Sequence, residues 1–488
     1  MENMHKKRKN LQWFGHADIN VIEKFVYFTI WIPSVIFPFL CLYQLSVTYQ
    51  SDFAKENFVQ ISWFSWFKDI SDYEWTFWWN YAAQFAFMFS CYSFGGIVFT
   101  WKFPASKQIY YTLMSYVFLT FCVSLQGVLL ITCHLMLFYV IVTFLRNKLF
   151  MWIWSLVCIY FINNPDCLQF QLHTFKVDYM YENVILYSLL MSYLRLISFG
   201  CETIDSGENV SFQTFLSYNL YLPLFFNGPV LTFDLYNDGI KKPVKLNLRE
   251  IGQDALTCFV YAVVLNISYY FVYAPALAQH DFILEDITQI EAMCVCWVHI
   301  MYFCVKYYVF YRFAGIFVKL GGLVSPGPPK CVSSLYTFVD MWRYFDKGLY
   351  RFLQRCIYFP LGGSRFGIKR QAIASILCFS FVSFWHGSTE SLWSWAISNC
   401  CGIIMETIML SIMEYMNARH YLGSVLYRRV CCVGGSVSIF FLIYTNMIFL
   451  VGLQASNILL WKIVGNVKNL LILLFVLYCS AQCSVTVG

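Results

Sequence analysis

Long apolar runs alternate with short polar stretches along almost the whole chain. Three of the runs, at residues 25–47, 76–101 and 109–145, exceed the roughly 20 residues that a helix needs to cross a bilayer. The third is long enough for a bent or paired span. Further candidate spans lie at 149–163, 180–199, 254–277, 290–323, 371–386, 391–416, 435–453 and 467–485. The pattern predicts an all-α polytopic membrane protein with about ten transmembrane helices.

Two places interrupt this spanning pattern. In the first, residues 220–239, an apolar run is broken by Pro223, Asn227, Gly228 and Pro229. Prolines remove backbone donors, so this stretch predicts a re-entrant segment whose free backbone groups are satisfied by protein or water.

The second interruption follows the Pro-rich run at 325–330. A helix is predicted from a cap at Ser333 or Ser334 to about Tyr358, before Pro360. Its two faces differ in polarity at about 100° per residue, so it is an amphipathic helix suited to lie along the membrane surface or to tip into it. The polar stripe consists of Asp340, Arg343, Lys347, Arg351, Gln354 and Arg355.

Composition agrees with a membrane protein. Hydrophobic residues make up 59% of the chain and charged residues only 12%, against about a quarter charged in soluble domains. Aromatic residues, at 20%, are too many for interfacial belts alone, so some are expected to line an interior space. With no internal repeat, linker or long polar stretch, residues 1–488 are interpreted as a single integral membrane domain.

Charge and cysteine usage add two constraints. Lys6, Lys7, Arg8 and Lys9 precede the first span without a cleavage signal, so residues 1–24 are interpreted as a cytosolic anchor. The net charge of +6 fits contact with a lipid bilayer and does not indicate nucleic-acid binding. Most of the 20 cysteines lie in apolar spans without metal-site spacing, which is typical of small buried side chains.

Asp346 departs from the pattern of its helix. It projects about 60° beyond the polar stripe, beside Trp342, Tyr350 and Leu353 on the rotational map. One interpretation is a local ion pair with Arg343, three residues earlier. The other is a buried carboxylate that orients or charges a catalytic partner. Helix geometry alone does not decide between them.

His386 is a candidate partner. It ends the apolar run 371–385, between Trp385 and Gly387, and an ionisable side chain in such a place is a functional hypothesis. The alternative is a core histidine that hydrogen-bonds to a backbone carbonyl. Burial alone does not single it out, because His134 and His299 also lie in apolar spans.

Two other residues carry open alternatives. Cys331, beside Lys330 and near the predicted helix start, is placed for a lowered thiol pKa as a nucleophile or metal ligand, or is an ordinary loop cysteine. Asn446, a lone amide in an apolar span, is a helix–helix hydrogen-bonding group or a ligand contact.

Two motifs carry a family resemblance. PPKCVSSLYTFVDMWRYFDKGLYRFLQRCIYFPLGGS (328–364) and SFVSFWHGSTESLWSWAISN (380–399), with 40 residues between Asp346 and His386, resemble the membrane-bound O-acyltransferase (MBOAT) family. Weaker similarity at 221–234 and 445–452 extends it over about 220–453, and the first 200 residues match mainly in hydropathy. The resemblance implies the MBOAT fold, with re-entrant segments and an amphipathic helix beside the spans.

The resemblance also implies an activity. Within the family, these motifs are similar to those of enzymes that move palmitate from palmitoyl-CoA to the N-terminal cysteine amine of a secreted Hedgehog-type signalling protein. Such enzymes lie in the endoplasmic reticulum membrane, with the Golgi as the alternative. The Gly-Ser-Thr-Glu after His386 departs from a more glycine- and aromatic-rich family pattern, which affects the expected fit of the acceptor peptide.

Individual positions take roles from the same resemblance. His386 matches the catalytic histidine and Asp346 the second essential acidic position, so His386 is expected to act as general base. Cys331 matches a cysteine that ligates the iron of haem b. Expected substrate-binding residues are Trp342, Arg343, Trp385 and Asn446.

Two other functions stay open at this point. A family member can acylate a hydroxyl on a lipid or on another secreted protein. A polytopic transporter would instead use Asp346 and His386 in a proton or solute path, although the chain has no inverted repeat.

Overall fold

The fold is described from a computed structural model that covers residues 19–53, 57–60 and 66–487. The predicted cytosolic basic cluster Lys6–Lys9 lies outside these described residues. Within them, nine helices are long and apolar enough to cross a membrane. They are Val21–Thr48 (α1), Tyr73–Lys102 (α2), Lys107–Val140 with its flanking turns (α3), Glu182–Ser206 (α6), Leu248–Ser268 (α9), Gln289–Leu320 (α12), Glu390–Tyr415 (α16), Ala418–Val451 (α17) and Val467–Val487 (α19).

Shorter elements connect these nine. The other α-helices are Lys148–Asn163 (α4), Pro165–Phe175 (α5), Phe212–Asn219 (α7), Phe233–Lys241 (α8), Ala274–Ala278 (α10), Asp281–Asp286 (α11), Phe338–Tyr344 (α13), Lys347–Leu353 (α14), Ile368–Trp385 (α15) and Leu453–Val464 (α18). Two short strands, Phe58–Gln60 (β1) and Phe67–Asp69 (β2), pair antiparallel with Phe58 opposite Asp69.

The predicted all-α polytopic fold is confirmed. The count of membrane-crossing helices is nine in the described residues, where about ten were predicted. The difference comes from two candidate spans that form smaller helices. Residues 149–163 form α4, which has only 16 residues, and 371–386 form α15, which is not among the nine.

α12 is the scaffold on which the site is built. Its start is fixed by a capping box, in which Thr288 Oγ1 accepts from the Glu291 amide and the Glu291 carboxylate accepts from the Thr288 amide. Its 32 residues span about 48 Å. It packs against α1, α2, α9, α17 and α18. A single rigid element therefore runs through the bundle from one end to the other.

The interrupted segment at 220–239 lies inside the protein, as predicted. Most of its residues are buried, and its chain consists of a short 3₁₀ turn at Leu222–Leu224 followed by α8. The Arg195 guanidinium donates to the Leu224 carbonyl at 2.8 Å, and Ser115 Oγ donates to the Leu220 carbonyl at 2.6 Å. Protein groups thus satisfy backbone carbonyls that no helix pairs.

The prediction of a single amphipathic helix from Ser333 or Ser334 to Tyr358 is wrong. The chain forms a 3₁₀ turn at Val332–Ser334, then α13, then α14, and ends in a π-helical turn at Gln354–Tyr358. Thr337 caps α13 and Asp346 caps α14, each accepting from an amide three residues later. The hydrogen bonds from backbone amides to the Thr337 and Asp346 side chains therefore divide the segment, although its polar pattern has the period of one continuous helix.

Candidate active site

His386 follows the last residue of α15, and its position is fixed by contacts to that helix end. Asn163 Nδ2 donates to the carbonyls of Phe384 at 3.0 Å and Trp385 at 3.3 Å. Trp385 Nε1 donates to the Leu190 carbonyl at 2.9 Å. The carbonyls at the end of α15, which lack helical partners, are thus held by α4, and the Trp385 ring is anchored to α6.

Aromatic rings surround the imidazole of His386. Ring centroids lie 4.4 Å away for Trp385, 5.3 Å for Phe449 and 6.3 Å for Trp395. The residue is nevertheless exposed, so its imidazole borders open space. Desolvation by the surrounding protein lowers the pKa of His386 to about 4, so the ring is neutral near pH 7.

In the described residues, no backbone carbonyl accepts a hydrogen bond from the His386 imidazole. Among the described residues, neither ring nitrogen of His386 forms a hydrogen bond, whereas His134 bonds to both Tyr193 and Gln171. The alternative of a core histidine satisfied by a carbonyl therefore has no supporting contact. Both nitrogens are free to meet a ligand.

Asp346 lies in the break between α13 and α14. Its Oδ1 accepts from the Leu349 amide at 2.8 Å, and its Oδ2 accepts from the Tyr311 hydroxyl at 2.6 Å. Desolvation raises the pKa of Asp346, and these two hydrogen bonds oppose the rise. The predicted local pair with Arg343 is absent, because Arg343 pairs with Asp340 at 3.2 Å.

A column of aromatic rings connects the two groups. No hydrogen bond joins Asp346 to His386 in the part of the chain that the structure describes. From His386 the column continues through Phe449 to Phe303, with centroids 5.9 Å apart, and on to Phe345 at 5.3 Å. Phe345 immediately precedes Asp346. The carboxylate and the imidazole thus border one aromatic region without direct contact.

Trp342 joins the same region from the other side. Its Nε1 donates to Asn399 Oδ1 at 3.2 Å, and its ring lies 5.4 Å from Trp395, which also contacts His386. The buried Glu406 carboxylate accepts from the amides of Phe338 at 2.8 Å and Val339 at 3.2 Å. α16 therefore fixes both the start of α13 and the tryptophan within it.

The other two predicted substrate-binding residues differ in position. Asn446 lies three residues before Phe449 on α17, so the two share a helix face. Its Nδ2 donates to the Leu442 carbonyl at 2.7 Å. Arg343 pairs with Asp340 and lies over the ring of Tyr344, and within the described part of the chain no contact joins it to the aromatic region.

Cys331 lies on an exposed loop at the first 3₁₀ turn, not at the start of a long helix. Its Sγ is 3.1 Å from Ser333 Oγ, and hydrogen bonds from Cys304 and Ser333 lower its pKa. An accessible thiol with thiolate character is a side chain that could hold a haem iron. Within the described ranges, no group of three or more His, Cys, Asp or Glu side chains could hold a metal ion.

A cavity of about 1160 Å³ lies close to the chain segment that follows His386. Its lining includes Glu390 and Ser391, which begin α16 shortly after His386, and Leu450, which follows Phe449. Asp72 and Lys306 also line it and pair at 2.9 Å, and Lys306 pairs with Glu74 at 3.0 Å. The cavity wall thus carries more acidic than basic side chains, and its lining includes His299 and not His386.

Several residues of this site were missed by sequence reasoning. Phe303, Tyr307 and Tyr311 recur every four residues on α12, a spacing that places them on one face and was visible in the sequence. Glu406 is a lone acid in an apolar span, which is also a usable signal. Trp395, Phe449 and Asn399 gave no local signal, because tertiary packing alone brings the first two to His386 and the third to Trp342.

Comparisons with known proteins give consistent matches. The model of the membrane-bound O-acyltransferase family matches residues 179–444, more than half of the chain. The chain is 28% identical over 414 residues to the protein-cysteine N-palmitoyltransferase HHAT of Mus musculus, covering 80% of this chain and 82% of that protein.

Two further relatives extend the range of similarity. The protein-cysteine N-palmitoyltransferase Rasp of Drosophila melanogaster is 26% identical over 373 residues, covering 73% of this chain and 72% of that protein. The membrane-bound O-acyltransferase GUP2 of Saccharomyces cerevisiae is 27% identical over 264 residues, covering 53% of this chain and 41% of that protein.

Proposed function

The chain belongs to the membrane-bound O-acyltransferase family, and from that premise we propose that it transfers palmitate from palmitoyl-CoA to the N-terminal cysteine amine of a secreted Hedgehog-type protein. Two of its relatives are protein-cysteine N-palmitoyltransferases, which supports N-palmitoylation of a protein cysteine. Membership of the family makes the chain a multi-pass membrane acyltransferase and sets the transporter alternative aside.

One observation carries the catalytic assignment. His386 is a neutral imidazole without a hydrogen-bond partner among the described residues, and aromatic rings border it. A general base must be unprotonated at the operating pH and must be able to reach the proton it abstracts. His386 meets both conditions, and its ring and that of Trp342 both contact Trp395.

The reaction assigns a role to each group. The acceptor amine attacks the thioester carbonyl and loses a proton to His386 as the C–N bond forms. The C–S bond then breaks, the thiol of coenzyme A leaves, and the proton on the imidazole passes to its sulfur. Asp346, held by Tyr311 and the Leu349 amide, stabilises the positive charge that develops during the transfer.

The two substrates reach the site by different routes. The aromatic region formed by Trp342, Trp395, Phe449 and Phe303 suits the acyl chain, whose burial contributes about 0.8 kcal/mol per methylene. The 1160 Å³ cavity suits the acceptor, because its lining is partly polar and includes Glu390 and Ser391, which begin α16 shortly after His386. We assign the enzyme to the endoplasmic reticulum membrane, which has acyl-CoA on one side and a secreted acceptor on the other.

Haem b is proposed at Cys331. Cys331 would supply its thiolate to hold the iron, and the group would be structural, since acyl transfer needs no redox step. Purified protein is expected to show a Soret absorption that disappears in Cys331→Ala and remains in Cys401→Ala, another exposed cysteine. A Soret band unchanged by Cys331→Ala, or absent from the parent protein, would remove this assignment.

A panel of acceptors tests the function. Purified protein in lipid nanodiscs is given alkyne-tagged palmitoyl-CoA with four acceptors: a peptide starting with cysteine, its serine-initiated and N-acetylated forms, and a lipid with a free hydroxyl. We expect label only on the free cysteine-initiated peptide, and on its amine after thioesters are cleaved. Label on the hydroxyl acceptors alone would instead show an O-acyltransferase.

A further inference from the structure

The cations around Asp346 fall into two groups. Five Lys and Arg side chains lie between residues 330 and 355. The three arginines pair with carboxylates: Arg343 with Asp340, Arg351 with Asp234, and Arg355 with Glu202 and Asp234. Lys330 and Lys347 have no carboxylate partner in the described residues. The two lysines, which we call the lysine pair, are therefore available to an anion from outside the chain.

Loop geometry brings the lysine pair together. The Lys330 amide donates to the Tyr344 carbonyl at 3.0 Å, and its ammonium lies over the Tyr344 ring, 5.7 Å from the centroid. The loop turns at Gly327, which has a φ of +84°. A Cβ at Gly327 would lie 3.8 Å from Lys347 Nζ. Both ammonium groups thus border the loop 325–330, and Lys347 directly follows Asp346.

The burial and mutual repulsion of the lysine pair indicate that a neutralising anion is missing. Lys347 is half-buried, and its pKa is lowered first by desolvation and then by the charge of Lys330. A partly desolvated ammonium that faces a second ammonium destabilises the protein unless an anion offsets it. Every arginine of the same segment has such an offset within the chain, so the lysine pair is the exception.

We propose that the lysine pair binds the diphosphate of the acyl-CoA donor and thereby sets the affinity for its nucleotide half. Two adjacent phosphates carry charges that match two adjacent ammonium groups. Lys347 is next to Asp346, so a donor anchored there has its thioester arm directed toward the aromatic region. The identity of the donor rests on the proposed function, but recognition of the phosphates is a separate property.

A phosphate can also come from a lipid headgroup, so the test must separate the two sources. Binding of coenzyme A to the full-length protein is measured in nanodiscs of phosphatidylcholine alone and with added phosphatidylserine. The variants are Lys330→Met, Lys347→Met and the double variant. Lys245→Met, an exposed lysine without a partner among the described residues, is the matched control for lost charge.

We expect the dissociation constant of coenzyme A to rise about 10-fold for each single lysine variant, with no change for Lys245→Met. Lys330→Arg and Lys347→Arg should keep most of the affinity, which separates loss of charge from loss of fold. Raising the salt concentration should weaken coenzyme A binding to the parent protein more than to the double variant.

Kinetics give a second readout that a structural role would not move. In the double variant, KM for palmitoyl-CoA should rise while KM for S-palmitoyl-pantetheine, which lacks the nucleotide and the diphosphate, stays unchanged. Unaltered affinity for coenzyme A would overturn the proposal. If the variants instead lose only a dependence on phosphatidylserine, the ligand is a lipid headgroup. Because coenzyme A binding needs no acceptor, failure of the proposed acceptor would leave this test intact.

Discussion

The surroundings of His386 and of Asp346 differ in a way that bears on mechanism. The imidazole lies among Trp385, Trp395 and Phe449 without a hydrogen bond to the described residues, whereas both carboxylate oxygens of Asp346 accept bonds from the protein. A group that must take up and release a proton benefits from free nitrogens. A group with both oxygens committed acts by its charge and fixed position. The comparison therefore assigns proton transfer to His386 and electrostatic support to Asp346.

Removing the imidazole should have the largest effect. His386→Ala is expected to lower kcat for palmitate transfer by about 100- to 10,000-fold, the usual contribution of a general base. Thermal stability should be unchanged, because the ring forms no hydrogen bond to the described residues. His173→Ala, an exposed histidine at the end of α5, is the control. Transfer at the parent rate by His386→Ala would remove the base assignment.

Two substitutions at Asp346 separate its charge from its role as a helix cap. Asn is as good an N-cap as Asp, so Asp346→Asn should keep the melting temperature while lowering kcat about 100-fold. Asp346→Ala should lose the activity and also about 1 kcal/mol of stability with the cap. If Asp346→Asn is fully active, the carboxylate is only a cap for α14.

Tyr311→Phe should have a smaller effect. It removes the donor to Asp346 Oδ2, and a hydrogen bond to a charged group is worth about 1.5–3 kcal/mol, so kcat should fall about 10-fold. Tyr307→Phe is the matched control, since its hydroxyl donates to Glu74 at 3.2 Å and not to Asp346. Equal losses in both variants would indicate general damage to α12 and not a specific role.

The smallest expected effect is the contribution of His386 to the pH dependence of kcat/KM. The pKa of His386 is lowered to about 4, so its neutral form persists as the pH falls and is lost only near that value. The acceptor amine, with a pKa of about 7.7–8.0, must be unprotonated to attack. The logarithm of kcat/KM should therefore fall with a slope of one between about pH 7 and pH 5. A slope of two beginning near pH 6.5 would show that His386 titrates normally.

The sequence predicted those features of the two regions that depend on hydropathy. A histidine at the end of an apolar run and a broken span at 220–239 are visible as local departures from the spanning pattern, and the structure contains both. The surroundings of Asp346 were predicted less well, because helical periodicity assumed one continuous helix. A cap at Asp346 divides that helix, because its Oδ1 accepts from the Leu349 amide. Its other oxygen accepts from Tyr311, which lies 35 residues away and has no local signal in the sequence.

The rings around His386 were also predicted only in part. The abundance of aromatic residues predicted an aromatic-lined interior, but not which rings would border the imidazole. Phe449, Trp395 and Phe303 come from three different helices, and only packing of α12, α16 and α17 brings them together. Contacts between distant segments of this kind have no period or spacing in the sequence.

The central claim is that the two differently built regions act as one catalytic unit, and a double variant tests it most directly. Palmitate transfer to a cysteine-initiated peptide is measured for His386→Ala, Asp346→Asn and the two combined. Residues that act as a unit are strongly non-additive, so the double variant should be about as active as His386→Ala alone. A rate reduced by the product of the two single losses would show that Asp346 and His386 act independently.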